Sequence, residues 1–282
     1  MQQQSLLSDR SVLLVSGPDA SNFLQGLITN DLEQLKGKGA IYAALLTPQG
    51  KILFDFIVVS VGGDTFYIDC AMVQRDDLVN RLTLYRLRAK VEIAVTPLAV
   101  AASWGEEEPP SISGQASIFV DPRHKALGKR TIAPANILRK HFQCNDAAYQ
   151  ACRLKLGIPD SADLPTNTIF PLDAGFEELN GVNFTKGCYV GQEVTSRMKH
   201  RTNARKRFII VHTDRQYPPG TPLKANGQTI GNLGPVTGNT GLALLRLDRV
   251  LNAVQEGASI TIDGNKIHLQ KPVWLDTSIK IS

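Results

Sequence analysis

Short β-branched apolar runs, interrupted by glycine and proline, alternate along this chain with stretches whose apolar residues recur every three or four positions. The first texture predicts strands and the second helices. Ser11 to Val15 reads as a strand. Asp19 then predicts an N-cap, with Phe23, Leu24, Leu27 and Ile28 on one face of a buried helix ending at Thr29-Asn30-Asp31. Tyr42 to Leu46, Pro48 to Gly50 and Ile52 to Val61 read as strand, turn, strand, a β-hairpin with Asp55 as the one charge in its second arm. That aspartate either faces outward on an alternating strand or is buried with a partner, because an unpaired buried carboxylate is costly.

The pattern continues with a strand from Thr65 to Asp69 and an amphipathic helix from Val73 to Leu87, with Leu78, Leu82 and Tyr85 on one side. Strands Val91 to Val95 and Leu98 to Ala102 are split by Pro97. Gly105 to Gly114 is an exposed acidic loop. Ser117 to Val120 is a further strand, followed by a polar, basic segment from Asp121 to Arg130. Asn145 caps a helix from Asp146 to Leu156 that Gly157-Ile-Pro159 stops. Leu164 to Leu172 reads as an ordered loop and residues 191 to 200 as a helix. Beyond Arg207 the texture changes: Phe208 to Val211 is a strand, and from Tyr217 to Gly241 glycine or proline recurs between short apolar pieces. That is the texture of a small all-β unit with tight turns, beginning near 205.

Composition narrows the function classes. Hydrophobic residues make up 43% and charged ones 20%, an ordinary globular balance without the charge excess of a disordered chain. No apolar run reaches the roughly 18 residues of a membrane helix, and Met1-Gln2-Gln3-Gln4 lacks a basic-then-apolar signal pattern. The expected location is cytoplasmic, with no membrane partner. Net charge is +5, too small an excess to diagnose nucleic-acid binding, but its distribution is uneven. From Arg197 to Arg207 there are six Lys or Arg and no acid. Such a run suits a polyanion or a multiply carboxylated ligand, or is a solvated face. It lacks the interleaved aromatics that single-strand stacking favours, so direct nucleic-acid binding ranks last. The four cysteines, at 70, 144, 152 and 188, form no CxxC pair, which indicates neither a zinc knuckle nor a disulfide framework.

Chemistry concentrates in Lys186-Gly187-Cys188-Tyr189-Val190-Gly191-Gln192-Glu193. Gly187 and Gly191 permit a tight turn that presents the thiol. A helix beginning at Gly191 would set partly positive amides near Cys188, and Lys186 would add to a field that favours the thiolate. Cys188 is then a nucleophile or metal ligand, or else a small buried hydrophobe, the commoner fate of a free cysteine. Tyr189 and Gln192 read as packing and hydrogen-bonding supports, and Glu193 as a first-turn acid favoured by the helix dipole.

That octapeptide joins three other stretches: Val15-Ser-Gly-Pro-Asp-Ala20 with Phe23-Leu-Gln25 and Thr29-Asn-Asp31; Leu46-Thr-Pro-Gln-Gly-Lys51 leading into the Asp55 strand; and Arg153 with Leu156-Gly-Ile-Pro159. Together they resemble the folate-binding relatives of the glycine-cleavage aminomethyltransferase, and within them the YgfZ-like branch that includes a mitochondrial iron-sulfur assembly factor. The resemblance spans nearly the whole chain. It implies an α+β fold in which two interleaved subdomains occupy residues 1–204 and a small β-barrel-like domain occupies 205–282, with a central channel for tetrahydrofolate or a one-carbon derivative. The relatives hold the pterin with a carboxylate in a Pro-x-Glu-Ala-Gly pattern, and Asp173 stands there in Pro171-Leu-Asp173-Ala-Gly175. A carboxylate can accept two parallel hydrogen bonds from a 2-amino-pyrimidinone edge. Arg207 with Lys206 falls where an arginine meets the folate region, and Arg197 and its neighbours suit the anionic tail. Asp55 falls by the catalytic acid of the aminomethyltransferases.

Where those enzymes carry an acid, this chain has Cys188, as the YgfZ-like branch does. Glycine cleavage is therefore disfavoured. The resemblance implies a tetrahydrofolate-binding accessory factor for iron-sulfur proteins, including cluster enzymes of tRNA modification, in which Cys188 transiently ligates a cluster iron or handles a sulfur species. Its implied partners are assembly proteins or client cluster enzymes. The alternative is a folate-dependent one-carbon transferase in which Asp55 assists proton transfer and Cys188 is acceptor or nucleophile.

Overall fold

A computed structural model of the chain describes residues 3–106, 108–112, 114, 116–201 and 206–276. Arg205 of the basic run, the side chain of Arg201 and the position read as the domain boundary lie outside the described residues. The chain opens with β1 (Gln4–Leu7) and β2 (Arg10–Ser16), then α1 (Ala20–Gln25) and the single turn α2 (Leu35–Lys38). β3 (Ala40–Leu46) and β4 (Ile52–Gly62) form the expected hairpin, and β5 (Thr65–Ala71) pairs antiparallel with β4. α3 (Arg75–Arg86) buries Leu78 and Leu82, and β6 (Glu92–Val95) closes a five-stranded sheet of order β3-β4-β5-β2-β6.

The second sheet is interleaved with the first. β7 (Leu98–Ser103), β8 (Ser117–Val120) and β9 (Lys129–Pro134) join the N-terminal strand in the order β1-β7-β9-β8. Thus the chain leaves the second unit after β1, builds the first, and returns. α4 (Ala135–His141) and α5 (Asp146–Leu156) follow. Asn145 Oδ1 accepts from the Ala148 N–H, and Gly157 ends α5 with φ +72°, a left-handed C-cap that glycine adopts freely. A turn-rich passage leads to α6 (Gln192–Arg201).

The C-terminal unit carries β10 (Lys206–His212), β11 (Pro222–Ala225), β12 (Gln228–Thr237), β13 (Thr240–Arg246), α7 (Leu247–Gln255), β14 (Ile260–Ile262), β15 (Asn265–Lys266) and β16 (His268–Gln270). Its seven strands form one antiparallel sheet, order β15-β14-β11-β12-β13-β10-β16, around an interior of Ile209, Val211, Leu233, Leu245 and Leu269. A separate core of Tyr42, Tyr149, Phe176, Ile210 and Leu242 draws on both N-terminal units and on β10 and β13.

Two expectations are corrected. The first helix stops at Gln25 rather than running to Thr29, because Ile28 bridges Leu45 and the Thr29 N–H donates to the Ala44 carbonyl at 3.0 Å. Asp19 stands at the N-cap position but makes no capping bond: its carboxylate accepts from the Lys90 N–H at 2.7 Å. Asp121, Arg123 and Arg130 are buried, and strand β9 begins at Lys129.

Candidate functional site

Three of the four sequence stretches converge on the Cys188 loop. The Lys186 Nζ is turned inward and donates to three backbone carbonyls beyond the end of α1 and at its last residue: Gln25 at 2.7 Å, Ile28 at 2.7 Å and Asn30 at 2.8 Å. Its ammonium also stands 5.1 Å from the centre of the Tyr189 ring. Burial lowers Lys186 to about 8 from its ordinary 10.5, because the carbonyl dipoles only partly replace lost hydration. Asn183 Oδ1 accepts from the Thr185 and Lys186 N–H groups, while the Asn183 N–H donates to Thr29 O. The loop is therefore stapled to the Thr29-Asn30-Asp31 stretch from both sides.

The hairpin turn between β3 and β4 supplies the next wall. Gly191 has φ +82°, and a Cβ there would come within 2.6 Å of the Thr47 carbonyl oxygen. Across the contact, a Cβ on Gly50 (φ +80°) would meet Val194 at 2.8 Å. Both glycines are thus required by conformation and by close approach. Gly187 differs from the reading of the sequence: its φ is not positive and a Cβ would meet nothing within 4 Å. Tyr189 is buried, and burial raises its hydroxyl to about 12. The Gln192 N–H donates to Tyr189 O at 3.2 Å as α6 begins, and Glu193 is exposed in the first turn.

Cys188 itself is exposed and free. The buried-hydrophobe reading is overturned. The expectation that Lys186 acts on the thiol is also corrected, since its ammonium is committed to the carbonyl cage. Among the described residues no three His, Cys, Asp or Glu side chains are grouped to hold a metal.

Asp55 lies elsewhere, in a sealed polar junction. Its Oδ1 accepts from Ser161 Oγ at 2.6 Å and its Oδ2 from Tyr42 Oη at 3.1 Å, and only 3% of the residue is exposed. Phe176 covers the Tyr42 ring with centroids 4.7 Å apart. Behind it, Arg10 bonds Asp69 at 2.7 Å and Asp160 at 3.3 Å. Arg130 bridges Asp69 at 2.5 Å and Asp121 at 2.9 Å. Arg123 holds Asp121 at 2.8 Å, and Arg153 holds Asp163 at 2.6 Å. Four arginines face five aspartates here. The surplus is relieved at Asp55 and Asp163, whose carboxyls burial pushes above the usual range. Asp121 and Asp160 are held well below it: burial opposes this, but the arginines prevail, led by Arg123 at Asp121 and Arg10 at Asp160. The fourth stretch belongs to this junction, since Arg153 also donates to Ile158 O at 3.1 Å. The outward-facing reading of Asp55 is overturned.

The third group lies at the start of the barrel. Half-buried Asp173 accepts from the Lys206 N–H at 3.3 Å, and burial raises its carboxyl, partly offset by that hydrogen bond and the Lys206 and Arg207 charges. Arg207 pairs with Glu178 at 3.2 Å and donates to Lys206 O at 2.9 Å, while its Nε is a buried donor with no partner among the described residues. A carboxylate acceptor and an orphaned cationic donor side by side suit a ligand with a donating heterocycle and an anionic arm. Arg197 is exposed on α6, and its neighbour Lys199 pairs with Glu177. The structure thus gathers Lys186, Tyr189 and Gly191 around the Cys188 loop, and Asp173, Lys206 and Arg207 at the barrel, but leaves Asp55 enclosed. Sequence reasoning missed Asp121, Arg123 and Arg130; Lys129-Arg-Thr-Ile-Ala-Pro134 shows no apolar alternation, and the strand is buried continuously from Arg130 to Ala133, so the sequence carries no periodic signal for it.

Comparison with known proteins adds the wider frame. Residues 7–105 match the GCVT N-terminal domain, and residues 205–277 match the CAF17 C-terminal beta-barrel domain. The chain is 32% identical to the mitochondrial iron-sulfur cluster assembly factor IBA57 of Homo sapiens, over 91% of this chain and 82% of that protein. It is 33% identical to the Mus musculus protein of the same name, over 86% and 77%. Among solved structures, the glycine cleavage system aminomethyltransferase T from Bartonella henselae shares the fold, with TM-score 0.72 over 96% of this chain and 85% of that one at 18% identity.

Proposed function

This chain belongs to the family of the iron-sulfur cluster assembly factor IBA57, and from that premise we propose that it assists the assembly or maintenance of iron-sulfur proteins through Cys188. The observation that carries the reading is the contrast at the octapeptide: an exposed thiol on a loop whose other anchors, Lys186, Tyr189 and Gly191, are buried or tightly packed. A thiol presented in this way can ligate an iron of a cluster in transit. One cysteine cannot hold a cluster, for which four protein ligands are usual. With no cluster of three or more His, Cys, Asp or Glu among the described residues, the remaining ligands come from a client protein, an assembly protein or a small thiol. Clients include cluster enzymes of tRNA modification.

The same reading includes a tetrahydrofolate site. Tetrahydrofolate supplies a reduced pterin able to carry one-carbon units. In this chain Asp173 accepts from the pterin edge, Arg207 Nε donates to an anionic group, and Lys206 and Arg197 add positive charge towards the tail. The one-carbon transferase alternative has less support, since Asp55 is enclosed behind Tyr42 and Phe176 with both oxygens engaged.

The test is complementation of cells lacking this chain, read as the activity of a four-iron cluster enzyme. Wild type restores it, Cys188→Ser does not, and full restoration by Cys188→Ser removes the thiol from the function. Calorimetric titration with tetrahydrofolate separates the ligand: binding is lost in Asp173→Ala and kept in Cys188→Ser. Absence of binding to the wild type rejects the folate part alone.

A further inference from the structure

A cavity of about 470 Å³ lies between the barrel and the loop that follows α5, lined by neither Asp173 nor Cys188 but adjoining the Asp173 region through Lys206. Its size falls in the range of small-molecule sites. Ile169, Phe208, Leu233 and Leu244 supply apolar wall, with the first three nearly fully buried. Lys206 and Arg246 bring positive charge to the lining, the latter shared with Asp248. The informative group is Asp163. Its side chain is wholly buried, and its Oδ2 accepts from Arg153 at 2.6 Å and from the Asp160 N–H at 3.0 Å. Its Oδ1 has no partner and faces Gly234, at 3.0 Å from where a Cβ would stand.

A buried acceptor without a donor costs about 1 to 3 kcal/mol, and no described residue donates to this oxygen. Gly234 lies where the pairing of β12 with β13 shifts register between Leu233 and Val236. A side chain at Gly234 would press against the unsatisfied oxygen. Carboxylate, bulge and cavity therefore coincide.

We propose that this cavity is a second small-molecule site, taking a compact, largely apolar monoanion that carries an N–H donor. The donor meets Asp163 Oδ1 beside Gly234, the apolar body lies on Phe208 and Leu244, and the anionic end is met by Lys206 and Arg246. Specificity comes from the donor, because a ligand lacking it leaves the buried oxygen unpaired.

Indole-3-acetate is the probe, titrated into the full chain by protein-detected NMR, beside 1-methylindole-3-acetate, which lacks the donor, and indole-3-acetamide, which lacks the charge. The expected result is shifts at Phe208, Gly231 and Leu244, affinity about tenfold weaker on methylation, and severalfold weaker for the amide. Leu244→Trp fills the cavity and abolishes the shifts. Asp163→Asn also breaks the Arg153 pair and can fail to fold, so the matched probes on the wild type carry the donor test. The proposal is overturned by no binding at millimolar probe, by equal affinity for the methylated probe, or by shifts that survive Leu244→Trp. Displacement of the probe by tetrahydrofolate merges the cavity with the folate region and overturns a separate site; that result leaves the Cys188 reading intact.

Discussion

Lys186 and Arg130 are both buried cations, and the regions around them satisfy that charge in opposite ways. Arg130 sits among carboxylates, with Asp69 at 2.5 Å and Asp121 at 2.9 Å, and donates to Tyr149 Oη at 2.9 Å. Lys186 meets three neutral carbonyls. Ion pairing keeps the Arg130 junction permanently charged and ties β2, β5, β9 and α5 together. Dipoles alone leave Lys186 easier to deprotonate, so the anchor beneath the thiol loop is tunable where the junction is rigid. Asp55 belongs to the rigid region, and the exposed thiol sits on the tunable one.

The comparison breaks most severely at Arg130. Arg130→Ala leaves Asp69 and Asp121 buried with one partner fewer, and urea unfolding is expected to show a loss of about 3 to 5 kcal/mol. A loss below about 1 kcal/mol would mean that the junction is not what joins the units.

Lys186→Met tests the tunable side. Three carbonyls lose their donor, and a loss of about 2 kcal/mol is expected, together with a changed rate of Cys188 alkylation. The pH dependence has a definite sign. The folded state holds Lys186 at about 8, below its ordinary 10.5, so between these values the unfolded chain binds more protons and this group's contribution to stability rises with pH. The wild type should therefore gain on Lys186→Met as pH rises from 8 to 10.5; a constant difference across that window would show that Lys186 does not titrate as its burial implies.

Glycine substitution separates the two ends of the octapeptide. Gly191→Ala must hold φ near +82° and press on the Thr47 carbonyl, for an expected loss of about 1 to 2 kcal/mol. Gly187→Ala should stay within about 0.5 kcal/mol. If Gly187→Ala nevertheless fails in the complementation assay, the constraint at 187 is close approach by a partner rather than folding.

A small effect is also expected at Asp55. Asn keeps its shape and can still accept from one neighbour, so Asp55→Asn should change stability by about 1 kcal/mol or less near neutral pH. Asp55 is raised by burial and by Asp160. Its contribution is therefore complete below the ordinary carboxyl value of 3.8 and is lost as pH rises through the raised one. Asp55→Asn should gain on the wild type over that rise, measured by denaturant midpoints across pH. Asp121 and Asp160 have the opposite sign, so wild-type stability from them falls as the solution is acidified below 3.8.

Much of the architecture was legible. β2 to β5 follow from β-branched runs with turn residues between them, and α5 from Asn145 and Gly157 at its two ends. The octapeptide could be singled out because its residue types are rare in combination. The first helix was misread because apolar spacing continues past Gln25 while the backbone is pulled onto β3. In the polar, basic segment from Asp121 to Arg130 the sequence does not show which charges are buried, because Asp69, Tyr149 and Asp160 meet them only through the fold. The same limit applied to Lys186, whose charge pointed by proximity in sequence to Cys188 and in space to carbonyls more than 150 residues earlier.

What this chain determines by itself is local: strand and helix placement, tight turns and the unusual company of Cys188, all of which depend on residues a few positions apart. Which carboxylates are locked, which thiol is open and which buried oxygen lacks a donor were decided only by the tertiary structure, because desolvation and charge pairing depend on neighbours from distant parts of the chain.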